Sequence, residues 1–175
     1  MTTLTTKTGK LILRPFKMSD ANSVVRHAND KTIYRNLLTL PYPYTLKDAR
    51  KWLKTVVPQY RRKNPEQIVF AVELKGEVIG SIGLHKIIRG HKAEMGYWLS
   101  REYRGRGIMT ETIRSVTDYG FKKLGLRRIY ASVFLFNKAS MRVLEKNGFE
   151  FEGVLKKDAK KENYLIDCHL FAKTR

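Results

Sequence analysis

The stretch from Arg101 to Thr112, R-E-Y-R-G-R-G-I-M-T-E-T, constrains this chain more than any other, because it follows the apolar run Met95 to Leu99 and opens an amphipathic segment. A strand is expected to run directly into a helix here. Gly105 and Gly107 remove the side chains that would keep a ligand off the backbone, and the unpaired N–H groups of a first helical turn then face outward with a favourable dipole. Arg104 and Arg106 add charge and Thr110 adds a hydroxyl, so the cradle suits a diphosphate better than a carboxylate. A solvated basic loop turned by two glycines is the competing structural reading, and a lone G-x-G does not separate the two.

The segments around this loop follow simple periodicities. Residues 11–16 read as a first strand, and Ser19-Asp20-Ala21 as the start of a helix through Ala28. Residues 29–45 hold Pro41, Pro43, Tyr34, Tyr42 and Tyr44, which reads as a loop with a short helix over 32–38. Thr45-Leu-Lys-Asp48 has the form of a capping box for a helix carrying Trp52, Leu53 and Val56. Residues 68–74 and 78–84, joined by Lys75-Gly76-Glu77, form the clearest hairpin, and Gly80 and Gly83 inside its second strand signal a bulge or close packing. After the strand at 93–99, Met109, Ile113, Val116, Gly120 and Leu124 line up on one buried helix face. A strand at 128–135, a helix at 140–147 stopped by Gly148, and strands at 149–155 and 164–171 around a lysine-rich turn at 156–162 complete the pattern.

The expected fold is therefore α/β in the α+β sense: one domain with a mixed, mostly antiparallel sheet of about seven strands flanked by about four helices. A chain of 175 residues, 42% hydrophobic, supports one buried core, divided here into an N-terminal extension at 1–10 and a domain at 11–175. Cys168 is the only cysteine, so an internal disulfide is excluded, and its alternation with Tyr164, Ile166 and Leu170 marks a packing residue. His27, His85, His91 and His169 lack metal-ligand spacing, and no metal is expected. Residues 1–10 lack the apolar stretch of a signal peptide and no run approaches membrane-spanning length, which points to the cytoplasm. The formal charge of +19 exceeds what one anion loop needs and would draw polyanions such as RNA, although the basic residues are spread along the chain.

A second stretch, Asn137-Lys-Ala-Ser-Met-Arg-Val-Leu-Glu-Lys-Asn-Gly-Phe149 followed by Glu152-Gly153, joins the first. Together they resemble motifs A and B of the GNAT superfamily of acetyl-CoA-dependent N-acetyltransferases. The family's Q/R-x-x-G-x-G/A falls on Arg104, Gly107 and Met109; methionine departs from the usual small residue, and G-I-M-T is similar to the RimJ/RimL branch of ribosomal-protein alanine N-acetyltransferases. The resemblance spans Leu11 to Phe171.

That resemblance implies a sheet splayed at the cofactor site, with acetyl-CoA held by Arg104, Gly105, Arg106, Gly107, Ile108, Met109 and Thr110 at its phosphates and by Tyr97, Trp98 and Leu99 along the pantetheine. A backbone N–H near Leu99 would face the thioester carbonyl, and Asn137 would contact pantetheine or its neighbouring loop. Glu94 is the expected general base, competing with a role as a rim carboxylate. The tyrosine that many relatives carry as acid is Leu144 here, so Ser140 becomes the candidate acid, against its reading as a helix N-cap. A second family position for a basic glutamate is Ser132, which adds weight to Glu94. Asp167 either faces the acceptor amine or anchors a turn.

The implied function is acetyl transfer from acetyl-CoA to a primary amine, with a ribosomal-protein N-terminal α-amine favoured and the ribosome or rRNA as a partner of the basic surface. Small-molecule amines or antibiotics remain alternative acceptors because fold and cofactor leave the acceptor open. A non-catalytic RNA-binding module is the alternative of another class. Both monomer and homodimer stand.

Overall fold

A computed structural model describes residues 3–6 and 11–175. Among the described residues, eight strands form one sheet: β1 (Leu4–Thr5), β2 (Ile12–Pro15), β3 (Ile68–Leu74), β4 (Glu77–Ile88), β5 (Lys92–Leu99), β6 (Arg128–Phe134), β7 (Glu150–Lys161) and β8 (Tyr164–Thr174). Their spatial order is β1-β2-β3-β4-β5-β6-β8-β7, and every pairing is antiparallel except β5 with β6.

The α-helices among the described residues are α1 (Ala21–Ala28), α2 (Lys31–Asn36), α3 (Leu46–Val56), α4 (Ile108–Lys123) and α5 (Lys138–Glu145). One face of the sheet packs Val69, Ala71 and Val78 against Val24 of α1 and Ala49, Leu53 and Val56 of α3. The other packs Phe70, Ile82, Leu84 and Met95 against Ile113 and Val116 of α4 and Leu144 of α5. The period-3.6 and period-2 patterns of the sequence supply these two layers directly.

Several local expectations hold. The Thr45–Asp48 capping box is formed in both directions, and the β3–β4 register shifts between Val72 and Glu73, opposite the Gly80 region. Others are corrected. Leu4–Thr5, assigned to an extension, pairs with Leu13 and Ile12 as an eighth strand; residues 1, 2 and 7–10 lie outside the described residues. The short helix expected over 32–38 is α2, one residue earlier at its start and two at its end, begun where the Asp30 carboxylate accepts the N–H groups of Thr32 and Ile33. Most of the supposed turn at 156–162 is strand: β7 continues to Lys161 across a register shift between Leu155 and Ala159. Lysines there read as turn residues, yet an edge strand favours exposed lysine because it discourages further pairing.

Tyr60 pins the first layer. Its hydroxyl donates to the Val69 carbonyl at 2.7 Å and accepts the Phe16 N–H at 2.9 Å. Burial pushes the Tyr60 phenol up to about 12, and the Tyr44 phenol likewise to about 12. Below pH 10 both tyrosines are neutral in folded and unfolded chains alike. Between pH 10 and 12 only the unfolded chain ionises them, so stability falls as pH rises, by on the order of 2 kcal/mol per tyrosine at the upper end. Thermal melts from pH 9 to 12 should show this decline, and its slope should be shallower in Tyr60→Phe.

Candidate functional site

Strands β5 and β6 begin side by side and then part. Lys92, Ala93 and Glu94 pair with Arg128, Ile129 and Tyr130, and the ladder ends there. Met95 to Leu99 continue with only β4 beside them, so their outer backbone edge lines a cleft of about 970 Å³. The open edge is two residues longer than the Tyr97–Leu99 stretch expected from sequence. Leu99 sits at the end nearest the glycine loop, and Glu94 stands at the vertex.

At the loop end, Gly105 and Gly107 have φ of 76° and 75°, a backbone conformation that costs other residues about 1–2 kcal/mol. A Cβ built on either would meet nothing within 4 Å, so the space above both faces is open. Gly107 precedes α4 without a side-chain cap, which leaves first-turn N–H groups free to take an anion. These features fit a diphosphate, and the unpaired edge of β5 fits an amide-bearing arm extended beside it.

The structure gathers the sequence-predicted residues with one exception. Glu94, Tyr97, Trp98, Leu99, Arg104, Gly105, Gly107, Ile108, Met109, Thr110, Asn137 and Ser140 all line the cleft. Arg106 does not; its guanidinium lies 5.6 Å from the centre of the Tyr103 ring. Tyr97 and Leu99 face the α4–α5 layer, whereas Trp98 packs in the α1–α3 layer.

Asn137, not Ser140, caps α5, accepting the Ser140 N–H at 3.2 Å. The serine hydroxyl is thereby released from capping and lies 2.7 Å from the Tyr97 hydroxyl. Burial raises the Tyr97 phenol well above its usual value, so this pair remains fully protonated at neutral pH.

At the vertex, the Glu94 carboxylate is 2.7 Å from Nζ of Lys86, whose side chain is 74% exposed. Hydrogen bonding to Glu94 raises the Lys86 ammonium. Burial lowers the neighbouring His85 imidazole, and its Nδ1 meets Gln67 at 3.0 Å. Asp158 is the residue that the sequence argument missed. It lines the same cleft, and its carboxylate shares with Glu94 an influence on Lys86, Tyr130 and Cys168. The break in alternation within V-L-K-K-D-A-K-K was the available signal, since Lys157 takes φ of 53° in the β7 irregularity. Asp167 accepts the Lys157 N–H at 2.7 Å, which holds that irregularity in place. Cys168 is buried with Phe134 and Ala159, and burial pushes its thiol up to about 11.

The cleft is bridged between two of its banks. Ile33, Leu37 and Leu38 form one bank, and Leu155, Asp158 and Ala159 the other. Lys161 donates to the Leu37 carbonyl at 2.8 Å and to that of Tyr34, while the Tyr34 hydroxyl donates to Glu162. The region after α1 lines the cleft through Ile33, Leu37 and Leu38, and its Tyr34 and Tyr42 rings pack together at 5.8 Å.

The family model described as acetyltransferase (GNAT) domain matches residues 10–150, a span that includes the parted strands, the glycine loop and the uncapped helix. The chain belongs to the GNAT acetyltransferases. This GNAT chain is 36% identical over 172 residues to the probable N-acetyltransferase YjcK of Bacillus subtilis, covering 94% of both. It is 31% identical over 144 residues to a spermidine N(1)-acetyltransferase of Escherichia coli, covering 82% of this chain and 74% of that one. Among solved structures, the ribosomal-protein-S5-alanine acetyltransferase of Vibrio fischeri superposes with a TM-score of 0.86 at 26% identity, covering 99% of this chain and 97% of that one. The protein is thus an acetyl-CoA-dependent N-acetyltransferase with RimJ/RimL-like neighbours, and the non-catalytic alternative gives way. Among the described residues no helix is long and apolar enough to cross a membrane.

Gly107→Ala should raise the KM for acetyl-CoA about tenfold, the cost of one strained left-handed residue, while the acceptor KM stays the same. Steady-state kinetics with each substrate varied in turn measures the split.

Proposed function

We propose that this enzyme acetylates a protein N-terminal α-amine, of the ribosomal-protein kind, by direct attack with both substrates bound. The observation that carries the chemistry is a pair of carboxylates in one cleft, Glu94 at the vertex of the parted strands and Asp158 in the opposite lining from β7. Acetyl-CoA supplies the acetyl group as a thioester. Arg104, the Gly105–Gly107 backbone and Thr110 hold its phosphates at the loop end, and the freed edge of β5 aligns its arm.

A protonated amine entering under the bridge meets Glu94 and Asp158. It replaces Lys86 as the partner of Glu94 at little cost, because an ion pair with so exposed a lysine is worth about 0–1 kcal/mol. Glu94 removes the amine's proton and Asp158 orients the nitrogen for attack. The vertex lies at Glu94, so the carbonyl-facing N–H belongs to the Met95–Gly96 stretch and not to Leu99 at the phosphate end. Ser140, hydrogen-bonded to Tyr97, donates a proton to the departing thiolate. A thiol with an ordinary pKa of about 8.5 leaves readily, so this donation contributes modestly.

The surface supports a ribosomal setting. Lys47, Arg50, Lys51 and Lys54 are all exposed and recur at the helical spacing, so they form one basic stripe along α3. On this reading the enzyme works in the cytoplasm with its positive face on RNA. A second reading, a polyamine acceptor, draws on the two cleft carboxylates and the spermidine-acetylating relative, but the formal charge of +19 would repel a polycation.

Acetyl-CoA turnover on N-terminal peptides of ribosomal proteins beginning with Ala, Ser or Met, set beside spermidine and aminoglycosides, tests the acceptor. The peptides should lead by kcat/KM, and a lead for spermidine would transfer the assignment to the second reading. Glu94→Gln should lower kcat about 100-fold, and Ser140→Ala less than about tenfold. Replacing Lys47, Arg50, Lys51 and Lys54 by Gln should flatten the salt dependence of ribosome binding by up to about four phosphate contacts without changing peptide kcat.

A further inference from the structure

Outside the cleft, a buried polar chain joins α1 to the start of the glycine loop. His27, in the last turn of α1, has a side chain only 2% exposed. Its Nδ1 lies 3.0 Å from the Ser100 hydroxyl, the residue immediately after β5. Its Nε2 lies 2.9 Å from the Glu77 carboxylate at the start of β4, within ion-pair range though not aligned as a straight hydrogen bond. The imidazole holds the Glu77 carboxyl below the usual carboxylate range. The tautomer with its proton on Nε2, toward the carboxylate, leaves Nδ1 to accept from the serine.

The order carboxylate, imidazole, hydroxyl is that of a nucleophilic triad, but Ser100 is 4% exposed and does not line the cleft. No acyl group can reach it. Its place in the chain gives a different role. The Ser100 N–H donates to the Ile79 carbonyl at 2.9 Å and its own carbonyl accepts the Tyr103 N–H at 3.1 Å, so this residue sets the path of the backbone toward Gly105. The Tyr103 ring meets the imidazole edge-on at 5.9 Å.

We propose that His27 is a positioning residue for the cofactor loop. It locks Ser100 between α1 and β4, so that the N–H groups around Gly105 and Gly107 are already aimed at the diphosphate before it arrives. Ordering the loop in advance lowers the entropy lost on binding, and the benefit appears in cofactor affinity and not in the chemical step. The inference rests on the assignment of acetyl-CoA to the loop.

Ser100→Ala, His27→Ala and His27→Asn test it, read by calorimetric titration with coenzyme A and by kinetics at saturating acceptor. Ser100→Ala and His27→Ala should weaken coenzyme A binding about five- to twenty-fold, with kcat at saturating acetyl-CoA and the acceptor KM within about twofold of the parent. His27→Asn, whose amide oxygen takes the place of Nδ1, should recover most of the affinity. Unchanged coenzyme A affinity in Ser100→Ala, or a loss confined to kcat or to the melting temperature, would overturn the proposal. Ser100→Ala removes a single oxygen and carries the test if His27→Ala does not fold. A parent chain that fails to bind coenzyme A would sink the cofactor assignment itself, which separates the two failures.

Discussion

The parting of β5 from β6 after three residue pairs governs everything else in this structure. A strand inside a sheet ordinarily has both edges paired, because a backbone amide left without a partner costs free energy. Here five residues of β5 give up one edge within the body of the protein, and the sheet tolerates it because a solvent-filled cleft reaches that edge. That open edge fits an extended arm carrying its own amides. The strand ladder on the β4 side runs unbroken from Glu94 to Leu99, which keeps the exposed edge straight and rigid.

Around that edge, the two helical layers divide the work. Met95 faces α4 and α5, as do Tyr97 and Leu99, and the α5 end supplies Ser140. Trp98 turns the other way, among side chains of α1 and α3. Alternation along one strand thus divides its side chains between the two helical layers, Met95, Tyr97 and Leu99 to one and Trp98 to the other. Glu94 sits at the vertex, where β5 and β6 part.

Most of this organisation was legible in the residues, for identifiable reasons. The glycine loop and the face from Met109 to Leu124 rest on local periodicity and backbone freedom, both of which a sequence displays. What escaped depends on pairings distant in the chain. Asp158 was hidden among lysines because its direction is set by an irregularity in β7 that only β8 defines. Tyr97 was read as part of a cofactor-lining run, and nothing in the sequence brought its hydroxyl to Ser140, 43 positions away. Ser140 itself was weighed as a cap, and the cap is Asn137, three residues earlier, because the helix begins sooner than its apolar pattern does. The chain from Glu77 through His27 to Ser100 joins three segments with no shared motif and was invisible for the same reason.

The bridge from Lys161 to Leu37 has a consequence for how the enzyme comes into being. Its partners are 124 residues apart, and β8 must enter the sheet beside β6 before β7 can bring Lys161 within reach. During synthesis the glycine loop and its flanking strand and helix emerge well ahead of the β7–β8 hairpin, so the two banks of the cleft are completed at different times. A chain stalled before that hairpin has the glycine loop but lacks the Lys161 side of the bridge.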